Sequence, residues 1–284
     1  IKASYAGMNQ YVHLLSNTGI GLPTDLWVPS NRNVPPQFSR QVALGLAKDL
    51  KNKNFEVSLE GYYKKSDNVL TYREGANFLL INDPAEAEQI AWESNVTSGQ
   101  AWAYGSEFLI QRKTGKFTGW IGYTLSWVQW QFDEINFGKK FYPRYDRRHD
   151  ISVVGIYELS ESVVFSANWV YGTGNAITLP IGEYMPFPHQ INENDFSYMY
   201  WGYVNDYGEK NSFRMAAYHR FDAGVQFIKH KSKSSRTWEV SVYNLYNRKN
   251  PFFYFIGYNK ADQRVLKQIS IFPMIPSVSY SVKF

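Results

Sequence analysis

The chain reads PSVSYSVKF over residues 276–284, where Val278, Tyr280, Val282 and Phe284 alternate with Ser277, Ser279, Ser281 and Lys283. Strict alternation specifies a strand with one apolar and one polar face, because successive side chains leave a pleated backbone on opposite sides. The apolar face needs an oily neighbour. In a sandwich that neighbour is a second sheet; in an outer-membrane barrel it is lipid, and small polar residues face the lumen. This stretch by itself leaves both open, so the rest of the sequence has to decide.

Trp, Tyr and Phe make up 18% of the 284 residues, a share that suits strands and membrane–water interfaces. No run of apolar residues is long enough for a helical span, and the mean hydropathy of -0.41 is that of a water-soluble protein or of a barrel, whose spanning strands are apolar only at every second residue. Cysteine is absent, which excludes disulfide staples and thiolate metal sites. The net charge of +5 is carried by basic residues spread along the chain and gathered in short turns such as KHKSKSSR (229–236). That distribution describes solvated turns rather than a nucleic-acid surface. Neither an initiator Met nor a signal peptide stands at Ile1, so the chain reads as a processed or partial product.

Ten alternating segments are predicted, at about 1–14, 38–50, 55–75, 102–113, 117–133, 141–159, 163–178, 212–230, 236–256 and 263–284, several longer than strands of soluble sheets. Segment 55–75 sets Phe55, Val57, Leu59, Gly61 and Tyr63 against Glu56, Ser58, Glu60, Tyr62 and Lys64, and two glutamates on one face call for water. The turns KNKN (51–54), KTGK (113–116), LSES (159–162) and KSKSS (231–235) are tight and polar, while the other junctions, near 15–37, 76–101, 134–140, 179–211 and 257–262, are mostly long. Alternation of short and long links in an up-and-down meander puts all short turns at one end and all long loops at the other, the asymmetry of outer-membrane barrels. By the same parity Phe284 falls at the short-turn, periplasmic end. No linker or low-complexity tract marks a second domain.

Several stretches resemble the C-terminal half of TonB-dependent outer-membrane transporters, particularly the Bacteroidetes-type and in part SusC-like members: LPTDLWVPS with PPQ (22–30, 35–37), AYGSEFLIQRKTGKFTGWIGYTLS (103–126), YDRRHDISVVGIYEL (145–159), YHRFDAGVQF (218–227), VYNLYNRKNPFFY (242–254) and FPMIPSVSYSVKF (272–284). Their order and hairpin spacing carry the resemblance across nearly the whole chain. It implies that residues 1–284 are the C-terminal part of an antiparallel transmembrane barrel of about 22 strands with a plugged lumen, that the plug, the TonB box and the first strands lie outside this chain, and that Ile1 is internal to a longer polypeptide. It also implies import of a bulky nutrient such as a glycan, peptide or metal chelate across the outer membrane of a Gram-negative bacterium. The implied partners are outer-membrane lipid, the TonB complex reached through the plug, and a surface lipoprotein. Tyr280, Val282 and Phe284 resemble the terminal signal read by the barrel-assembly machinery.

The chemistry of the residues points away from catalysis. The cluster RYDRRHD (144–150) contains Asp146, His149 and Asp150; read as a strand it puts Arg148 and Asp150 on one face and Arg147 and His149 on the other, the pattern of lumen-facing and rim ion pairing at a strand mouth rather than of a catalytic or metal site. The remaining histidines stand on separate segments without metal-ligand spacing, and no GxSxG, HExxH, Walker-type or dinucleotide glycine pattern occurs. Neither enzyme, cofactor, metal nor nucleic acid is expected. Candidate binding residues for substrate or partner are the aromatic and carboxylate groups of two long loops: Asp25 and Trp27 in LPTDLWVPS, and Tyr184, Trp201 and Tyr203 in the Tyr/Trp-rich segment 179–211. Trp127, Trp130, Trp169, Phe252, Phe253 and Tyr254 read as interfacial girdle residues. Two other functions share part of this pattern. A non-transporting barrel would dock a surface lipoprotein or secretion complex, and a secreted β-rich binding protein would dissolve without detergent.

Overall fold

A computed structural model describes residues 1–15, 26–50, 54–74, 92–184, 204–232 and 234–284. Ten strands form one antiparallel sheet: β1 (Lys2–Gln10), β2 (Gln37–Leu50), β3 (Phe55–Tyr72), β4 (Val96–Arg112), β5 (Phe117–Gln131), β6 (His149–Ser160), β7 (Val163–Gly172), β8 (Tyr218–Lys231), β9 (Ser234–Tyr243) and β10 (Ile275–Lys283). Each strand pairs with the next in sequence, the meander expected from the links. β2–β3, β4–β5, β6–β7 and β8–β9 are joined by the short turns, and the five long connections all emerge at the other end. Among the described residues no helix is long and apolar enough to cross a membrane.

The register sorts side chains into two continuous faces. Tyr5 lies opposite Val42, then Tyr63, Tyr104 and Trp127 in successive strands. Further round, Ile121 is followed by Val153, Trp169 and Phe221, and Val225 by Val240 and Val278. Between its two ends this face is mainly apolar over all ten strands, and among the described residues no second layer covers it: every residue of β10 is exposed, Val278 at 64%. The opposite face carries Gly45, Glu60, Glu107, Thr124 and Asp150 in one row and Gln226, Glu239 and Ser279 in another. An apolar face left bare on a polar-backed sheet is the lipid face of a barrel wall, not half of a sandwich.

Aromatic rings mark two heights on the apolar face. Near the short turns stand Phe117, Tyr157 and Phe165, in register, and Trp238 against Tyr280 at 4.7 Å between centroids. Towards the long loops Tyr104 stacks on Tyr63 at 6.5 Å and on Trp127 at 5.5 Å. Phe117 and Trp127 bound most of β5; at about 3.3 Å per residue and a tilt of about 40° their spacing is about 25 Å, the height of an outer-membrane apolar band.

Beyond the upper belt β3 and β4 continue as a ribbon. A bulge at Asn68, whose φ is 59°, adds one residue to β3 between Asp67 and Val69, and its side-chain amide donates to the Pro36 carbonyl at 3.2 Å. Two small cores form on this ribbon. Leu70, Tyr72 and Val96 bury Leu15, Val28 and Val34 of the first long connection, while Val69 and Ala101 bury Phe132, Ile135 and Phe141 of the third.

The strand limits differ from the sequence expectation at the loop end. Residues 141–148 are not a strand: β6 starts at His149, because Asp146 is drawn inward to ion-pair partners and the backbone turns there. The last connection is much longer than 257–262. β9 ends at Tyr243, and residues 244–274 contain their own hairpin, Phe253–Tyr258 with Arg264–Ile269. Alternation alone does not distinguish a spanning strand from a hairpin beyond the membrane. For the same reason Phe252, Phe253 and Tyr254 are loop residues rather than girdle residues, and Trp130 packs against Phe132 and Phe141 above the upper belt. Trp127 and Trp169 do lie on the apolar face.

Candidate functional site: the loop vestibule and the polar face

Of the predicted binding residues, Asp25, Trp201 and Tyr203 lie outside the described residues. Trp27 sits on the hairpin Val12–Leu15/Leu26–Pro29, opposite Leu14, and is 64% exposed. Tyr184 ends Pro180–Tyr184, paired with Val204–Tyr207, and is also exposed. The two hairpins are anchored separately. The first rests on β3 and β4 through its buried Leu15 and Val28; the second is tied by Arg264, which pairs with Glu183 at 2.7 Å and donates to Asn205 at 2.5 Å, to the hairpin of the last connection. Both present exposed rings at the loop end. Tyr280 and Val282 line the apolar face of β10, Tyr280 against Trp238, and Phe284 follows the last residue of the strand at the short-turn end.

The first hairpin contains a titratable lock. His13 is buried, its Nε2 2.9 Å from Ser30 Oγ, and burial holds the imidazole below its ordinary value. Because the folded state favours the neutral ring, the unfolded segment binds the proton more readily. The stabilisation is therefore full above a pH of about 6.5 and is lost as pH falls below it. Cleavage within 11–36 by a protease active throughout is expected to accelerate between about pH 7.5 and about pH 5, and His13→Gln should abolish that dependence. Equal wild-type rates at both values would remove the lock.

The floor of the vestibule is held by two buried polar side chains, Asp146 and Asn244, each with several partners. Asp146 has no exposed surface; it accepts from the Val128 N–H at 2.7 Å, pairs with Arg214, and lies 3.8 Å from Arg148. Arg214 also donates to the Gly174 carbonyl at 3.3 Å, and Arg148 covers the Trp127 ring at 4.5 Å. So RYDRRHD is a structural ion-pair cluster, although Asp146 couples to Arg214, sixty-eight positions away, rather than within one strand. On the far side Asn244, equally buried, donates to the Arg248 and Phe272 carbonyls at 2.9 and 3.1 Å and accepts from the Arg248 N–H at 3.0 Å. Asn250 brackets His219 with two backbone bonds, and Asn247 accepts from the Met274 N–H. The stretch NLYNRKN thus pins the strand tops of β8, β9 and β10.

The polar face shows what single-strand reading could not. Glu60 and Glu107 are direct cross-strand partners, and among the described residues neither has an ion-pair partner. Arg220 bonds Asp222 at 2.9 Å and the Tyr218 and Tyr243 hydroxyls at 3.0 and 2.8 Å. Each residue was visible as polar in sequence; only register brings Glu60 to Glu107.

No family model and no curated protein matches the sequence. Solved structures do match the fold. The ferric-catecholate import receptor Fiu of E. coli K12, in its closed form, is similar at TM-score 0.51 and 12% identity, over 98% of this chain and 32% of its own. The ferripyoverdine receptor of the Pseudomonas aeruginosa outer membrane gives 0.53 and 14%, over 99% and 30%. The copper transporter OprC gives 0.51 and 12%, over 99% and 36%. The chain spans about a third of the length of these proteins. Its fold is that of a segment of the antiparallel barrel of TonB-dependent outer-membrane receptors.

Proposed function

We propose that the chain is the C-terminal barrel portion of a TonB-dependent importer in the outer membrane of a Gram-negative bacterium. The observation that carries this is the ten-strand register, which keeps one face apolar and bare, the other polar, and every long connection at one end. Likeness to barrels of receptors for ferric catecholate, ferripyoverdine and copper supports import of a bulky or chelated nutrient, without chemistry on it. The SusC-like resemblance of the quoted stretches favours a glycan or peptide cargo and a surface lipoprotein partner. Trp27, Tyr184 and, in the same loops, Asp25, Trp201 and Tyr203 would meet the cargo, and Tyr280, Val282 and Phe284 would be read by the assembly machinery.

The polar face supports a filled lumen. Carboxylates directly opposite one another destabilise a strand pair, so Glu60 and Glu107 favour a lumen occupant that offers basic side chains, as a plug would. Energy coupled through that plug predicts a specific result. Cells expressing the full-length protein should accumulate a labelled cargo from a panel of ferric siderophores, copper and oligosaccharides, and a protonophore should abolish the accumulation. Gene-dependent surface binding of a lipoprotein without protonophore-sensitive uptake of any probe would instead select the docking-subunit function.

A further inference from the structure

Charge on the apolar face is sorted in a way the importer reading does not require. At the short-turn end the charged residues of the apolar-face parity in the described strands are Lys48, Arg112, Lys229, Lys231 and Arg236, all cationic, while Asp49, Glu56 and Glu158 belong to the polar face. Lys229 and Arg236 are direct cross-strand partners and both are exposed. Among the described residues neither has a carboxylate partner. Like charges held opposite each other repel, and among the described residues no carboxylate on their own face pairs with them. Immediately further along the same face, towards the upper belt, Phe227 lies opposite Trp238 and Trp238 opposite Tyr280. These rings and the two cations line one recess of about 400 Å³, with Ser162 of the β6–β7 turn at its edge.

We propose that this recess binds an anionic phospholipid of the leaflet at the short-turn end, its phosphate between Lys229 and Arg236 and its first acyl carbons against Phe227, Trp238 and Tyr280. The proposal rests on the membrane-spanning reading above. Charge complementarity selects the occupant: two unpaired cations at headgroup depth require an anion, and the aromatic floor requires that the anion carry a chain. A free phosphate would satisfy the first requirement only. Arg112 offers a control at the same end of the sheet, since its guanidinium covers the Phe55 ring at 5.5 Å and donates to the Thr114 carbonyl instead of facing a second cation.

The test uses the full-length protein in lipid nanodiscs and in detergent equilibrated with equal amounts of phosphatidylglycerol and phosphatidylcholine of matched chains, read by native mass spectrometry. Retained phosphatidylglycerol should exceed phosphatidylcholine on the order of tenfold, the ratio two basic side chains can supply near an anionic surface. The double variant Lys229→Gln/Arg236→Gln should bring the ratio to parity with unchanged circular dichroism and heat-modifiable migration, whereas Arg112→Gln should leave most of it. Equal retention of the two lipids by the wild type, an equal loss in Arg112→Gln, or displacement by millimolar inorganic phosphate alone would overturn the site. Protein that inserts into nanodiscs but shows no preference sinks this proposal only; protein that never inserts sinks the membrane reading beneath it.

Discussion

Replacing Ile121 by arginine is expected to destabilise the protein in lipid vesicles by about 2–4 kcal/mol, the cost of a cation inside the apolar band of a barrel. Ile121 stands on the bare face between Phe117 and Trp127, in register with Ile110 and Val153 and 45% exposed. The same substitution at Thr124, on the other side of β5, places the guanidinium beside Glu107 and should change stability by less than about 1 kcal/mol, within the range of an exposed ion pair. Urea unfolding of both full-length variants in phosphatidylcholine vesicles separates them. Equal costs at the two positions would mean that the faces do not see different solvents, and the barrel assignment would fail with them.

Asp146→Ala is expected to be the most damaging change outside the band. It removes the carboxylate shared by Arg214 and Arg148 and the acceptor of the Val128 N–H, leaving cations in a site built around an anion. Breaking a buried pair from one side costs about 3–5 kcal/mol; because both arginines keep some solvent contact, the lower end of that range is expected. Asp146→Asn, which preserves shape and one acceptor, should lose less. The damage is local to the loop end, so proteolysis within 132–148 and 173–217 should accelerate while the β-sheet circular dichroism persists. A loss below about 0.5 kcal/mol, the range of ordinary surface substitutions, would show that the cluster holds nothing.

What the sequence disclosed and what it hid follow from the range of each interaction. Strand existence, strand order and the sorting of turns were legible because alternation and hairpin spacing are local: VSYSVKF and KTGK carry their own geometry. The vestibule was not. Phe253–Tyr258 alternates as well as any spanning strand, and only its pairing with Arg264–Ile269 places it beyond the band. Asp146 finds its partner in Arg214 across a long connection, and Glu60 meets Glu107 through register, which no single strand encodes. Trp27 and Tyr184 stood out in the sequence as binding candidates on long loops, and both are exposed, but pattern gives no information on how loops lean on one another.

The extra residue at Asn68 has an effect on how the third strand can change over time. Below it, odd-numbered side chains such as Leu59 and Tyr63 take the lipid side; above it, Leu70 and Tyr72 take that same side with even numbers. One insertion therefore acts as a phase switch between two codes written on a single ribbon, one answering to the bilayer and the other to the loops. Drift in the vestibule can proceed without disturbing the alternation that the membrane enforces a few residues below.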